Sequence, residues 1–206
     1  MKKMICLFMI LTLCLTAGAG IAEAAEDIGI FGELDGAKYE NTAMGIGGVF
    51  EGWTYHSQDE ILAIYNLVQS SSSEEVAEML KDNTSIIVMY AESADQTQNV
   101  NLVLDSSAAL FVQVYGEDTY FQQMIQMYEQ VAPGQGWTDF TGEAVERRIG
   151  GKTVKGLKST YTMKGIPIYQ IQLAWLDGEY VNIITATSYY TDNCDSIIEH
   201  FYLLGE

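Results

Sequence analysis

Positively charged residues are scarce in this chain. Its 206 residues include ten lysines and arginines against 28 aspartates and glutamates, which gives a formal net charge of −18 at pH 7. A protein that binds a polyphosphate needs a basic surface. The charge balance therefore argues against nucleic acid or anionic lipid as a partner of the whole surface. An acidic exterior of this kind keeps a protein in solution.

Cysteine is also rare, and two of the three cysteines, Cys6 and Cys14, lie near the N-terminus. Cys194 is then alone in the rest of the chain, where one thiol cannot form an internal disulfide. It has helical spacing with the apolar residues Ile197, Ile198, Phe201 and Leu204. This stripe favours a buried small hydrophobe over a reactive or intermolecular thiol.

Metal-ligand patterns are missing as well. His56, His200 and Cys194 form no pair with ligand spacing, and no run of carboxylates resembles a calcium loop. Asp192, Asp195 and Glu199 are close in sequence, and a weak calcium contact is the alternative to their ordinary role as acids near a helix N-terminus. We therefore expect no metal and no cofactor.

Catalytic signatures are equally lacking. There is no G-x-S-x-G motif, and nothing selects one carboxylate pair from the many that a glycosidase could use. The run Gly45-Ile46-Gly47-Gly48 lacks the spacing of a phosphate-binding loop, and we interpret it as strand-edge glycine. We expect no catalytic residues and a protein that is not an enzyme.

The N-terminus, in contrast, has a clear pattern. Lys2 and Lys3 precede an apolar run from Met4 to Leu15, and Ala22-Glu23-Ala24 is an A-x-A cleavage site. We predict a signal peptide over residues 1–24 and one exported domain over residues 25–206, secreted or associated with the envelope. No second apolar segment is long enough to span a membrane. A lipid anchor at Cys14 is disfavoured, because a bulky leucine precedes it and apolar residues follow it.

Periodicity and turn signals predict the order of elements. Strands are expected near Lys38–Asn41, at Gly45–Glu51 and in a hairpin with a loose tip between Thr84 and Leu104. Two helices should follow capping boxes at Ser57–Glu60 and Ser72–Glu75. A third should run from about Asp118 to Pro133, and a last one from Asp192 to Leu204.

The segment from Trp137 to Ser188 predicts a four-strand antiparallel meander. Three dipeptides that favour positive φ divide it: Gly150-Gly151, Lys164-Gly165 and Asp177-Gly178. The fold class is therefore α+β, an antiparallel sheet with helices packed on it. Apolar residues at both parities of the meander predict that both faces of the sheet are covered.

These features resemble a known group of proteins. The chain from Tyr39 through Phe50 and Gly52-Trp53 to Glu60, and the later run Gly150-Gly151, Gly156-Leu157, Gly165 and Ile168-Tyr169, are similar to small exported proteins of Gram-positive bacteria. That group has the fold of PsbP, the extrinsic subunit of the photosynthetic oxygen-evolving complex. The chain departs from the group at Glu51, where a turn proline is common, and in lacking a lipid-anchor cysteine. The resemblance implies a PsbP-like fold without a shared active site, in proteins that act mostly by docking.

Basic residues are concentrated on the first hairpin of the meander. Arg147, Arg148, Lys152, Lys158 and Lys164 form a candidate docking patch for an anionic partner. The strand parity places Lys152, Lys158 and Lys164 outside and Leu157, Tyr161 and Met163 inside. The alternative is a solvated strand that protects a sheet edge. Lys155 has the other strand parity, which counts against a basic surface confined to one face of the strand.

The thirteen tyrosines are the other candidate, because tyrosine and tryptophan suit interfaces and sugar stacking. For Trp53 and Trp137 we expect packing at the edge of the core.

The sequence thus predicts an exported, non-catalytic protein that docks to another protein or envelope component. The alternatives are a glycan- or peptide-binding module that uses aromatic residues of the sheet and a secreted hydrolase. The partner and the oligomeric state stay undefined.

Overall fold

A computed structural model describes residues 31–61 and 85–205 of the chain. The predicted signal peptide, residues 1–24, lies outside these ranges. So do the second capping box, Ser72–Glu75, and the predicted helix that follows it.

The first capping box is described and is formed as predicted. Glu60 accepts a hydrogen bond from the backbone N–H of Ser57 at 2.8 Å, its own N–H donates to Ser57 Oγ at 3.4 Å, and residues 58–61 are helical.

Strands dominate the described chain and form two antiparallel sheets. The smaller sheet contains β1 (Glu33–Asp35), β2 (Lys38–Asn41), β3 (Ile46–Val49) and β11 (Phe201–Leu203), in that spatial order. The larger sheet contains β4 (Trp53–Tyr55), β5 (Ser85–Ser93), β6 (Gln98–Asp105), β10 (Tyr180–Tyr189), β9 (Ile166–Asp177), β8 (Lys152–Met163) and β7 (Trp137–Ile149), in that spatial order. The predicted antiparallel α+β class is confirmed.

Three further helices are described: α1 (Ser106–Tyr115), α2 (Glu117–Val131) and α3 (Cys194–Ile198). The side chain of Asp105 caps α1 by accepting a hydrogen bond from the N–H of Ala108 at 2.9 Å. The helix α2 ends just before Pro133, as predicted. None of these helices is long and apolar enough to cross a membrane.

The meander has the predicted turns, with one shift. Lys164 and Gly165 both have positive φ, 52° and 79°, as a two-residue turn with matched twist requires. In the third turn Asp177 still belongs to β9, so the loop consists of Gly178 and Glu179, one residue later than predicted. The β5–β6 hairpin also differs from expectation, since its tip is not loose. Asp95 there accepts hydrogen bonds from Ser93 and Thr97 at 2.7 and 2.9 Å.

Both faces of the large sheet are covered, which confirms the prediction from the meander. Helices α1 and α2 pack on one face around Val103, Tyr128 and Ile183. The small sheet and α3 pack on the other face around Ile171 and Ile184. We call these the helix face and the small-sheet face. Each face of the sheet therefore has its own apolar core, and both cores contribute burial energy.

The predicted C-terminal helix was wrong in its second half. The helix α3 ends at Ile198, and the chain then forms β11, in which Phe201 pairs with Gly48 and Leu203 with Ile46. Pairing satisfies the backbone of β3, which otherwise would be an open sheet edge. The strand β3 therefore lies inside the small sheet and not at its edge. A side chain at Gly47 would collide with the Tyr202 ring, with a Cβ distance of 2.4 Å.

The close approach of β8 to β9 depends on Gly156. A Cβ at this position would lie 2.3 Å from the backbone oxygen of Gln172 and 2.6 Å from a methyl group of Leu173. We expect Gly156→Ala to lower the free energy of unfolding by about 2–3 kcal/mol, because the backbone must move. Urea unfolding measures this change. Gly142→Ala on β7 is the control, since its Cβ would lie 3.3 Å from Ile125 side-chain atoms. Equal losses in the two variants would contradict the explanation.

Candidate binding surfaces

The five residues of the predicted docking patch lie on β7, β8 and the turns at their ends, but most make contacts within the chain. Arg147 pairs with Asp195, with Nη2 3.4 Å from Oδ2 and a shorter contact from Nε to Oδ1. Lys158 Nζ lies 2.6 Å from Asp192 Oδ2. Lys152 Nζ lies 5.2 Å from the centroid of the Trp175 ring, within range of a cation–π contact.

The acids that receive these contacts flank and begin α3, so the pairs fasten this short helix to the β7–β8 hairpin. The hydrogen bond to Asp192 raises the pKa of Lys158 above its ordinary value. Burial opposes ionisation of Asp192, but the bonds from Lys158 and the Cys194 N–H hold its pKa below the ordinary value. Lys155, of opposite parity, reaches Asp118 of α2 at 2.8 Å. Much of the positive charge of the hairpin is therefore compensated locally.

Asp192→Asn should lower the free energy of unfolding by about 0.5–1 kcal/mol at pH 7, because it breaks the pair with Lys158. The pKa of Asp192 is depressed in the folded state. The contribution of ionised Asp192 to the free energy of unfolding is therefore complete above the unfolded-state pKa. It disappears as the pH falls through the folded-state pKa. Urea unfolding from pH 7 into acid should show the wild type and the variant converging. The exposed Asp177→Asn is the control, and a gap that stays constant into acid would contradict the role of the pair.

Buried polar side chains cross the helix face of the large sheet in two rows. The strand registers place Glu92 opposite Asn99, Asn99 opposite Thr187, Thr187 opposite Gln170, and Gln170 opposite Ser159. The adjacent row contains Asn101, Thr185 and Gln172. We call these eight residues the polar band. All eight are buried, and seven are no more than 3% exposed.

Hydrogen bonds link much of the band. The hydroxyl of Tyr128, from α2, donates to Gln172 Oε1 at 3.0 Å, and Gln170 Nε2 donates to Thr187 Oγ1 at 3.1 Å. Asn101 Nδ2 donates to the backbone oxygen of Thr185 at 3.5 Å. Burial raises the pKa of Tyr128, which keeps its hydroxyl protonated as a donor. Because burying a polar group without a partner is costly, such networks are normally complete.

This network is incomplete at the amides of Asn101 and Gln170. Asn101 Oδ1 and Gln170 Oε1 are buried and have no hydrogen-bond partner within residues 31–61 and 85–205. At the β5 end of the band, His56 Nε2 lies 3.4 Å from Glu92 Oε1. The side chain of His56 is 16% exposed, and that of Glu92 is 11% exposed.

The polar band was missed from the sequence, although a signal exists. Three strands carry polar residues two positions apart around one apolar residue, at Asn99-Val100-Asn101, Gln170-Ile171-Gln172 and Thr185-Ala186-Thr187. Alternation places such pairs on one face of a strand. Only the register of three distant segments shows that the pairs adjoin.

A second surface missed from the sequence is an apolar ridge on α1. We use this name for Leu110, Val114 and Tyr115, which are 68%, 62% and 61% exposed. The ten residues of α1 include no charged side chain. Acidic residues border the ridge: Glu117 begins α2, and Gln113 Nε2 donates to Gly178 O at 3.4 Å, beside Glu179. Contiguous exposed apolar groups with a polar border are typical of interaction sites.

The remaining candidates are parts of the core. Cys194 is fully buried, its Sγ lies 3.2 Å from the backbone oxygen of Tyr169, and burial raises the pKa of its thiol. Trp137 is buried and stacks on Tyr161, with 4.4 Å between ring centroids. The ring of Trp53 packs against that of Phe50, with 5.1 Å between the ring centroids. The burial of the thiol and the packing of both tryptophans agree with the sequence analysis.

Comparisons with known proteins give little further information. No family model matches the chain, and no curated protein matches it. Among solved structures, the chain is similar to LpqN of Mycobacterium tuberculosis, described as involved in cell envelope biogenesis. The identity is 13%, the match covers 77% of this chain and 83% of LpqN, and the TM-score is 0.36. At this level the similarity does not identify a function.

Proposed function

We propose that this chain is an exported, non-catalytic protein that acts by docking to another protein, and that the apolar ridge of α1 is its docking surface. The observation that carries the proposal is the exposure of Leu110, Val114 and Tyr115 on a helix without charge. Export is expected from residues 1–24. The proposal retains the PsbP-like fold that the turn glycines suggest, with which the observed antiparallel sheet and its helical layer are compatible.

Burial of the ridge would release a favourable free energy that the isolated chain leaves unused. Removing apolar surface from water contributes about 25 cal/mol per Å². Aromatic and aliphatic groups at the centre of an interface, with polar groups around them, are the usual arrangement in protein complexes. Tyr115 also packs against Phe111, with 4.8 Å between ring centroids, so part of the ridge is held in place before docking.

The border of the ridge indicates the chemistry of the partner. Glu117 and Glu179 lie beside the ridge in a chain of net charge −18. A complementary partner has an apolar groove with basic residues around it. The basic patch is a less suitable docking surface, because Arg147 and Lys158 already pair with carboxylates of this chain.

Substituting Leu110 tests the docking surface. We expect Leu110→Asp to reduce the amount of partner captured from envelope extract at least tenfold. The reason is that docking would bury the new carboxylate in an apolar interface, where removing its charge from water is costly. Capture by purified residues 25–206 measures the amount of partner bound. A crosslink formed at Tyr115 then tests whether the bound partner lies on the ridge. Wild-type binding should also weaken with added salt.

Two control variants define the alternatives. Leu34→Asp changes another exposed leucine, 53% exposed on β1, and should bind like the wild type. The triple variant Lys152→Glu, Lys158→Glu and Lys164→Glu tests the basic patch. If Leu110→Asp binds normally and the triple variant does not, the docking surface is the patch and the proposal for α1 is wrong. Matching circular dichroism melts should accompany each comparison.

A further inference from the structure

The strand β7 forms a long open edge of the large sheet. It ends that sheet, and no described strand pairs with its outer side. The other described end strands, β1, β4 and β11, have three residues each, whereas β7 has thirteen. Proteins often keep end strands short, because an open edge pairs readily with another strand. Within the described chain, β7 is therefore the place where a further strand fits best.

The edge is regular over residues 141–149. The pairing of β7 with β8 is disturbed between Thr138 and Thr141, and it then continues without a break to Ile149. Residues 141–149 include no proline and no lysine, which are residues that commonly protect an edge. The regular part of β7 thus offers an unbroken row of backbone groups.

The β7–β8 hairpin fixes which backbone groups point outward. Ile149 and Lys152 pair across the two-residue turn Gly150-Gly151, so they exchange the two hydrogen bonds of a bonded pair. The direction of the N–H and C=O groups alternates along a strand. The residues that point outward are therefore Gly142, Ala144, Glu146 and Arg148. In agreement, the carbonyl of Glu146 accepts a bond from a side chain, that of Arg147, at 2.9 Å.

The charge distribution favours a second copy of this chain as the added strand. Two molecules with a net charge of −18 repel each other, and the repulsion is weakest where positive charge is concentrated. Six of the ten lysines and arginines lie between residues 147 and 164, on β7, β8 and the turn that follows. The β7 side is therefore the surface on which two acidic copies meet with the least repulsion.

One register of two antiparallel β7 strands brings opposite charges together. A twofold axis at Val145, the centre of residues 141–149, places Glu143 opposite Arg147 of the second copy, and this pair occurs twice. Arg147 already contacts Asp195, but its guanidinium has five N–H donors and can serve both carboxylates. A shift of the register by two residues in either direction removes both Glu–Arg pairs.

The same register suits the other face of the two strands. Ala144 then lies opposite Glu146, and Gly142 lies opposite Arg148, so no like charges face each other directly. These four residues are also the ones whose N–H and C=O groups point outward. They therefore form the hydrogen-bonded pairs of the new ladder.

We propose that two copies of this chain associate by antiparallel pairing of their β7 strands about a twofold axis at Val145, so that one sheet continues through both molecules. The apolar ridge lies on α1 and not on β7, so this proposal and the docking proposal can each fail alone.

Sedimentation velocity of the purified exported protein, residues 25–206, at rising concentration tests the association. We expect a reversible dimer. Ala144→Pro should weaken the dimer about tenfold or more, because proline removes an outward N–H and leaves the bonds to β8 in place. Ala144→Ser keeps this N–H and is the matched control. Leu110→Asp, on the ridge, should dimerise like the wild type.

Two charge variants test the register. Glu143→Arg faces Arg147 of the second copy, and Arg147→Glu faces Glu143, so each variant alone should dimerise about tenfold more weakly than the wild type. An equal mixture of the two variants should recover the dimer, because both cross-strand pairs then join opposite charges. Thermal melts of each variant check that it is folded.

Three results would contradict the proposal. The first is a wild type that stays monomeric up to about 1 mM. The second is a dimer that Ala144→Pro leaves as strong as in the wild type. The third is a mixture of Glu143→Arg and Arg147→Glu that associates no better than either variant alone, since the contact would then lie elsewhere.

Discussion

The pairing of β6 with β10 is the interaction on which the rest of this structure depends. It runs from Asp105 opposite Val181 to Gln98 opposite Ser188, between segments about eighty residues apart. It joins the β4–β5–β6 part of the sheet to the meander and so makes one sheet of seven strands. A slip of one residue would move Asn99 and Asn101 to the small-sheet face. The polar band exists only because this register aligns three short polar patterns.

The layers on the two faces of the large sheet also give its basic residues a structural role. The helices cover one face, and the small sheet and α3 cover the other. The helix α3 is only five residues long and needs tertiary contacts to be stable. Burial of its apolar side chains, among them Cys194 and Ile197, supplies many of these contacts, and the pairs from Lys158 and Arg147 add to them. The scarce basic residues of this acidic chain thus contribute to its fold.

Local patterns predicted the elements that local chemistry determines. The capping box at Ser57–Glu60, the turn at Lys164-Gly165 and the stop at Pro133 depend on neighbouring residues, and all three are observed. The strand β11 could not be predicted in this way, because Phe201 leaves the helical stripe to pair with Gly48, far away in sequence. The apolar character of 197–204 suits a helix and a strand equally.

The candidate surfaces were harder to predict than the fold. The helix α1 has β-branched and aromatic residues such as Val112, Val114 and Tyr115, which weaken a helical signal, and its Asp105 cap belongs to the preceding strand. The basic patch was visible in the sequence, but its carboxylate partners on α3 depend on tertiary packing. A charge cluster shows where charge is, whereas the structure shows whether another group has already compensated it.

Native-state hydrogen exchange tests most directly whether the large sheet depends on the pairing of β6 with β10. Leu102 and Ile184 pair with each other at the middle of this ladder. If the sheet depends on the pairing, the backbone N–H groups of β6 and β10 are among the last to exchange, and those of β5 and β9 open with the same free energy. If β6 and β10 exchange while the β7–β8 hairpin stays protected, the dependence on this pairing is contradicted.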